Sequence, residues 1–369
     1  MTNPDVPADQ AQKHPGDASA TLASSVQRSE QVEADLAQHP ERYRILTGDR
    51  PTGHLHIGHY FGSLANRVRL QQLGIQTNVL VADYQVIYDR DGVGALKDNV
   101  LNALADYLAC GIDPDRGMIF AHSAVPALNQ LMLPFLSLVS AAELERNPTV
   151  KEEMEASGRG LGGLMLTFPV HQAADILFCK ANLVPVGKDQ LPHIELTRLL
   201  ARRFDERYGR VGDEPVFPQA DALLGKAQNL LGMDGKKMSK SRGNAIEIGA
   251  SADTTVKLIK KAVTDADRNI SYDPDARPEV ANLLTLAGLC TGRTPEDIAA
   301  EIGDGGGGTL KKFLTEAVNE YFAPIREKRA ELLAEPAELM AVLHRGNDQA
   351  NEVAEQTLAE VRQAMQMDY

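Results

Sequence analysis

The chain has no tryptophan, few aromatic residues of any kind (5%) and three cysteines in 369 residues. Cys110, Cys179 and Cys290 are odd in number and far apart, which excludes a disulfide framework and gives no metal-ligand spacing. No apolar run approaches the ~20 residues that span a bilayer. The longest, around Leu131–Val139, is interrupted by Pro134 and reads as buried chain. The N-terminal segment lacks the apolar core of a secretory signal, so the expected location is the cytoplasm. Positive charge is also short, with 38 basic against 51 acidic residues and a net charge of −13, which argues against indiscriminate nucleic-acid binding. Local basic stretches survive at Arg198–Arg210, Gly235–Arg242 and Lys257–Val263, and the first and third read as solvated helix faces.

Residues 1–41 are polar and poor in large apolar groups, and are expected to form a disordered N-terminal tail with at most a short helix over Ser24–His39. From Arg42 onward, short apolar runs alternate with helical patterns: Arg42–Gly48, Thr77–Ile87, Met118–Ala124 and Asn182–Gly187 read as strands, and Leu96–Gly111 as a helix. This alternation predicts an α/β fold, a doubly wound (Rossmann-like) parallel sheet domain over 42–245. Ligands of such sheets sit at the carboxyl ends of strands. Beyond it the pattern turns helical, giving a smaller all-helical domain over 246–340 and a C-terminal helix over 341–369 that packs back towards the sheet. The glycine run Gly303–Gly308 reads as a flexible connector.

The stretch GDRPTGHLHIGHYFGSL, Gly48–Leu64, follows the first strand and opens a helix. Glycines there let a ligand approach the backbone, and the unpaired N–H groups of a helix start favour phosphate. His56 and His59, three apart, can face one phosphate region; His54 reads as an ordinary surface or packing residue. Far downstream stands Lys237-Met238-Ser239-Lys240-Ser241. HIGH after the first strand together with KMSKS after the sheet is similar to the paired signature of class I aminoacyl-tRNA synthetases.

Within that class, Thr167–Phe204, with Ala173-Ala174-Asp175-Ile176 and Val184-Pro185-Val186-Gly187, resembles the bacterial-type tryptophanyl-tRNA synthetases, as do Ala141–Glu153, Ala262–Pro274 and Arg277–Leu284. The resemblance runs from about Ile45 to the C-terminus. It implies activation of L-tryptophan by ATP to tryptophanyl-adenylate and pyrophosphate, then transfer to the 3′-terminal adenosine of tRNA(Trp). It also implies Mg2+ carried with ATP, no dedicated protein metal site, a homodimer, and a tRNA anticodon-binding role for the helical domain.

By the same resemblance, His56, His59, Lys237, Ser239, Lys240 and Ser241 serve catalysis. Arg50, Pro51, Thr52, Gly58, His59, Gly187, Lys188, Asp189 and the whole 237–241 motif, Met238 included, surround ATP. Asp175 accepts the indole N–H, Gln190 helps hold the α-amino group, Val184 and Val186 line the indole slot, and Gly48, Phe168 and Gln172 complete it. Val184 and Val186 read equally well as sheet core. Four positions depart from the family pattern: Glu153 where a phosphate-supporting lysine is common, with Lys151 near enough to replace it; Phe168 for a tyrosine; Gln172 for a methionine; Arg50 for a glutamine. They leave open an altered substrate preference. A tyrosyl relative, a simpler nucleotidyltransferase with a histidine motif and a non-catalytic tryptophan sensor are the competing readings.

Overall fold

The computed structural model describes residues 15–87, 94–157, 160–209, 212, 214–225, 230–239 and 242–369. Five strands are found among them: β1 (Arg44–Asp49), β2 (Gln76–Val81), β3 (Ile119–Ala121), β4 (Leu183–Val186) and β5 (Asp221–Leu224). All pair in parallel, in the order β3-β2-β1-β4-β5, with Leu46 opposite Asn78 and Val184 opposite Ala222. β2 and β3 bury both faces, as the unbroken apolar runs Val79–Val81 and Ile119–Ala121 require. One face packs on Leu104, Tyr107, Leu64 and Ile57; on the other, Phe120 of β3 packs with Phe135, Phe178 and Phe204. Strand order reverses between β1 and β4, so their carboxyl ends part and leave a crevice.

The N-terminal expectation needs correction. A helix spans Pro15–Leu36, and its Val32 and Leu36 pack with Ile45, Leu183 and Leu223 in a small core of their own. Ser29 Oγ accepts the Leu224 N–H at 2.8 Å, and Arg28 pairs with Asp221 at 2.6 Å. The helix thus covers the open edge of β5, a surface that would otherwise offer unpaired backbone groups. Four positions, Arg28, Ser29, Val32 and Leu36, carry the contact, and only two of them are apolar, too few to lift the segment's polar composition. Deleting residues 2–38 is expected to lower the melting temperature by several degrees and promote aggregation, read by thermal unfolding and light scattering. Unchanged melting would mean that β5 needs no cover.

The opposite edge, β3, is covered by the helix Pro336–Ala364. Asn347 Oδ1 accepts the Ala121 N–H at 3.0 Å, Asn351 donates to the Ala124 carbonyl at 2.8 Å, and Gly346 lies so close to Ile119 that a Cβ would strike its backbone. This helix begins before the expected boundary at 341. Nor does the sheet unit stop at 245: Ile57 N–H donates to Ile246 O at 2.9 Å and Ile248 N–H to Leu55 O at 3.0 Å. The helices Pro278–Thr291 and Gly306–Ala334 share one apolar cluster with Leu55, Ile57 and Tyr60, so the helical part is welded to the sheet through the histidine segment. The glycine run is no loose connector. Gly303–Gly305 forms one 3-10 turn and Gly306 starts the long helix, where a Cβ at Gly307 would lie 2.9 Å from Thr264 Oγ1.

Candidate active site

The crevice between β1 and β4 holds a cavity of about 360 Å3. Gly48, Asp49 and Arg50 come from the end of β1, Val184, Val186 and Gly187 from β4, and Phe168, Gln172 and Asp175 from the helix Gly163–Phe178. Gln190 and His193 enter from the turn Lys188–Gln190 and the helix after it. All seven residues expected around tryptophan, Gly48, Phe168, Gln172, Asp175, Val184, Val186 and Gln190, therefore line one space.

Polar groups in it are set for a ligand. Asp175 is 1% exposed; its Oδ1 is 2.8 Å from His122 Nε2, while its Oδ2, equally buried, has no partner among the described residues. A buried carboxylate oxygen left unpaired costs free energy unless a bound donor meets it. Gln172 Nε2 donates to Gln190 Oε1 at 3.4 Å, and Gln190 Nε2 donates to Asp189 Oδ2 at 2.9 Å, which orients the Gln190 amide. His193, 5.2 Å from the Phe168 ring, is buried with both ring nitrogens unpartnered among the described residues, and burial lowers it to about 4, so it is a neutral ring. At the β1 end, Arg67 grips Asp49 with two hydrogen bonds of 2.6 and 3.1 Å while Tyr107 donates to the same carboxylate at 2.8 Å. Burial pushes the Asp49 carboxyl up, yet the Arg67 charge and these hydrogen bonds outweigh it and hold the group below its ordinary value.

The histidine motif begins a helix at Ile57, and its two rings cap each other. His59 N–H donates to His56 Nδ1 at 3.3 Å, His56 N–H donates to His59 Nδ1 at 3.1 Å, and the rings stack 3.6 Å apart. Both Nδ1 atoms accept, which places the proton of each neutral ring on Nε2. Two Nε2–H donors from adjacent rings suit the oxygens of a phosphate. His54 stands apart, paired with Glu247 at 2.9 Å.

The second motif docks on the first. Met238 Sδ sits where a Cβ on Gly58 would come within 3.0 Å, so glycine there is what lets the lysine-rich segment approach. Asn244 holds the first half of the segment: its Oδ1 accepts the Ser239 N–H at 2.8 Å, and its amide donates to Lys237 O at 3.1 Å and Asp234 at 2.6 Å. Lys237 is exposed, whereas Lys240 and Ser241 lie outside the described residues. Pro51 is buried, and Thr52 N–H closes a turn on Arg50 O at 2.8 Å. Lys188 and Asp189 are exposed on the 3-10 turn after β4, beside Gly187 at the cavity mouth. Lys151 is exposed, and the side chain of Glu153 is outside the description.

Sequence reasoning missed His122, Asp49, Arg67, His193 and Asn244. A buried Arg67 on a helix face was the available signal for the first ion pair; the others carry no local mark.

Comparison with known proteins decides the family. The family described as tRNA synthetases class I (W and Y) matches residues 38–323. The tryptophan–tRNA ligase of Clostridium longisporum is 40% identical over 333 residues, 88% of this chain and 97% of that protein. The chain belongs to the tryptophanyl-tRNA synthetases. The ligase of Streptococcus pneumoniae is 41% identical over 342 residues, covering 88% of this chain and 98% of its own length. The tryptophanyl-tRNA synthetase of Campylobacter jejuni, solved with ADP and tryptophan, has a TM-score of 0.76 at 32% identity and covers 88% of this chain and 99% of its own. A tyrosyl-tRNA synthetase of Archaeoglobus fulgidus, at 20% identity and a TM-score of 0.63, shares the fold. The chain is accordingly a tryptophan–tRNA ligase of class I, built on the parallel-sheet fold expected from its sequence.

Proposed function

We propose that the cavity binds L-tryptophan with its indole N–H on Asp175 Oδ2 and its α-amino group near Gln190, while Phe168, Val184 and Val186 enclose the ring. The unpartnered, buried Asp175 Oδ2 carries this reading. The tryptophan carboxylate then attacks the α-phosphorus of ATP, the bond to the β-phosphate oxygen breaks, and pyrophosphate leaves. His56 and His59 would direct their Nε2–H groups at the phosphate oxygens, where transition-state charge is best met by fixed donors. Lys237 and Lys240, with Ser239 and Ser241, would meet the departing pyrophosphate. Arg50, Pro51, Thr52, Gly58, Met238 and the Gly187-Lys188-Asp189 turn would surround the nucleotide. A hydroxyl of the 3′-terminal adenosine of tRNA(Trp) next attacks the activated carbonyl and AMP departs.

Mg2+, travelling with ATP, would neutralise phosphate charge. The donor set fits that arrangement, because Asp49 is occupied by Arg67 and Tyr107 and needs no metal. The helices after residue 250, with Lys257, Lys260 and Lys261 exposed, would contact the anticodon arm. Leu133, 73% exposed on the short helix Met132–Leu136, would sit in a homodimer contact, while Leu131 and Phe135 beside it are core. No helix among the described residues is long and apolar enough to cross a membrane, and we place the enzyme in the cytoplasm.

Pyrophosphate exchange into ATP tests the assignment. It should depend on tryptophan, with tyrosine supporting less than about 1% of the rate, because a site built on one hydrogen bond rejects ligands lacking it. Exchange driven equally by tyrosine would refute it.

A further inference from the structure

Behind Asp175, on the side away from the cavity, two buried imidazoles face one another. The rings of His122 and His171 are 4.4 Å apart between centroids, and neither lines the cavity. His122 Nε2 is 2.8 Å from Asp175 Oδ1, whereas His171 Nε2 is 4.0 Å from that oxygen and 2.8 Å from Asn129 Oδ1. Asn129 spends its amide on the carbonyls of His122 and Val125, at 2.9 and 3.0 Å, so its Oδ1 can only accept. The His171 proton therefore goes to Asn129. His122 alone meets the carboxylate.

These three groups come close enough to suggest a metal ion, with ligand atoms within 4.8 Å of one another. Yet a metal needs bare ring nitrogens, and the Nε2 atom of each ring holds a proton already spent in a hydrogen bond. The arrangement suits a different task. An aspartate carboxyl turns readily about its last torsion, which is broad and two-fold. A donor fixed on one oxygen stops that rotation.

We propose that His122 is the positioning residue of the indole-reading carboxylate: by occupying Asp175 Oδ1 it presents Oδ2 alone to the cavity, at a set angle. The inference rests on the reading of Asp175 given above. The backbone that carries His122 is itself held, since Asn347 and Asn351 of the C-terminal helix clamp Ala121 and Ala124 on either side of it. Tyr84 lies beside both rings, 6.2 Å from His122 and 13° from parallel with it, and 6.5 Å from His171. The imidazole thus has a fixed place, and Asp175 inherits it.

The test compares tryptophan with 3-benzothienylalanine, in which sulfur replaces the indole N–H, as substrates for pyrophosphate exchange by the full chain. The parent should prefer tryptophan by about 10³-fold in kcat/KM, somewhat below the largest discriminations seen for a buried polar group left unpaired. His122→Phe keeps a ring but no donor, and should cut the preference to less than about 10-fold, since a carboxylate free to rotate reads the N–H poorly. His122→Gln restores an N–H and should return the ratio to within about threefold of the parent. Should His122→Phe fail to fold, His122→Asn, whose shorter amide falls away from Asp175, should show the same fall in ratio. A structural role would weaken both substrates alike and leave the ratio where it was. A parent that uses both amino acids equally overturns the reading of Asp175 itself. A parent that discriminates, with variants that discriminate as well, spares that reading and overturns only the role of His122. Stoichiometric zinc in the purified enzyme, lost in His122→Phe, would also overturn it in favour of a metal centre.

Discussion

Asp175→Ala is expected to lower kcat/KM for tryptophan in pyrophosphate exchange by about 10³-fold or more, roughly 4 kcal/mol of transition-state binding, while ATP still binds. The wild-type carboxylate is buried and half satisfied, and tryptophan would supply its missing donor. Truncation to alanine removes the acceptor, strands the indole N–H in an apolar slot and leaves the His122 Nε2–H unpaired. Nucleotide affinity should change little, because the residues proposed to hold phosphates come from the Gly48–Leu64 loop and the 237–241 segment. The chain has no tryptophan of its own, so emission of the free amino acid reports binding without indole background. Saturable change with the parent and none with Asp175→Ala is the expected pair of titrations. Near-normal tryptophan binding by the variant would show that the indole lies elsewhere, and binding by the parent without exchange would favour a sensor over an enzyme.

What the sequence disclosed follows from which interactions are local. The strand, loop and helix around Gly48–Leu64 announce themselves through short-range pattern, and so do the buried strands β2 and β3. The two short motifs and the Ala173–Ile176 and Val184–Gly187 neighbourhoods carried the family. They also brought together seven residues that prove to share a cavity. The partner of Asp175 was invisible because His122 stands 53 positions away, just past the end of β3, and no local pattern ties a strand end to a distant helix. Asn244 was hidden for another reason: its side chain acts on backbone groups of Lys237 and Ser239, and backbone partners leave no trace in a sequence. Composition misled twice. Polar residues 15–36 hid the length of the helix expected over Ser24–His39 and its packing on the sheet, and a run of glycines that suggested freedom serves close packing instead.

The lysine-rich segment should reveal itself in the transition state. Met238 rests on Gly58, and Asn244 ties the residues on either side of it, so residues 237–239 are held against the histidine motif and outside the lining of the indole slot. Its lysines would therefore meet charge that grows on pyrophosphate as the bond to the α-phosphorus breaks, an interaction weak in the ground state and strong at the barrier. Lys240→Ala is expected to slow adenylate formation by about 10²-fold or more, the scale of one oriented charge-stabilising donor, with tryptophan affinity nearly unchanged. Asn244→Ala should reproduce part of the loss without removing a charge, because it loosens the anchor and leaves every lysine in place. Single-turnover formation of the adenylate, measured beside tryptophan titration by fluorescence, separates the two effects. A normal rate with weakened tryptophan binding would move the segment from pyrophosphate departure to substrate binding, and equal damage to both would make it a structural strut of the site.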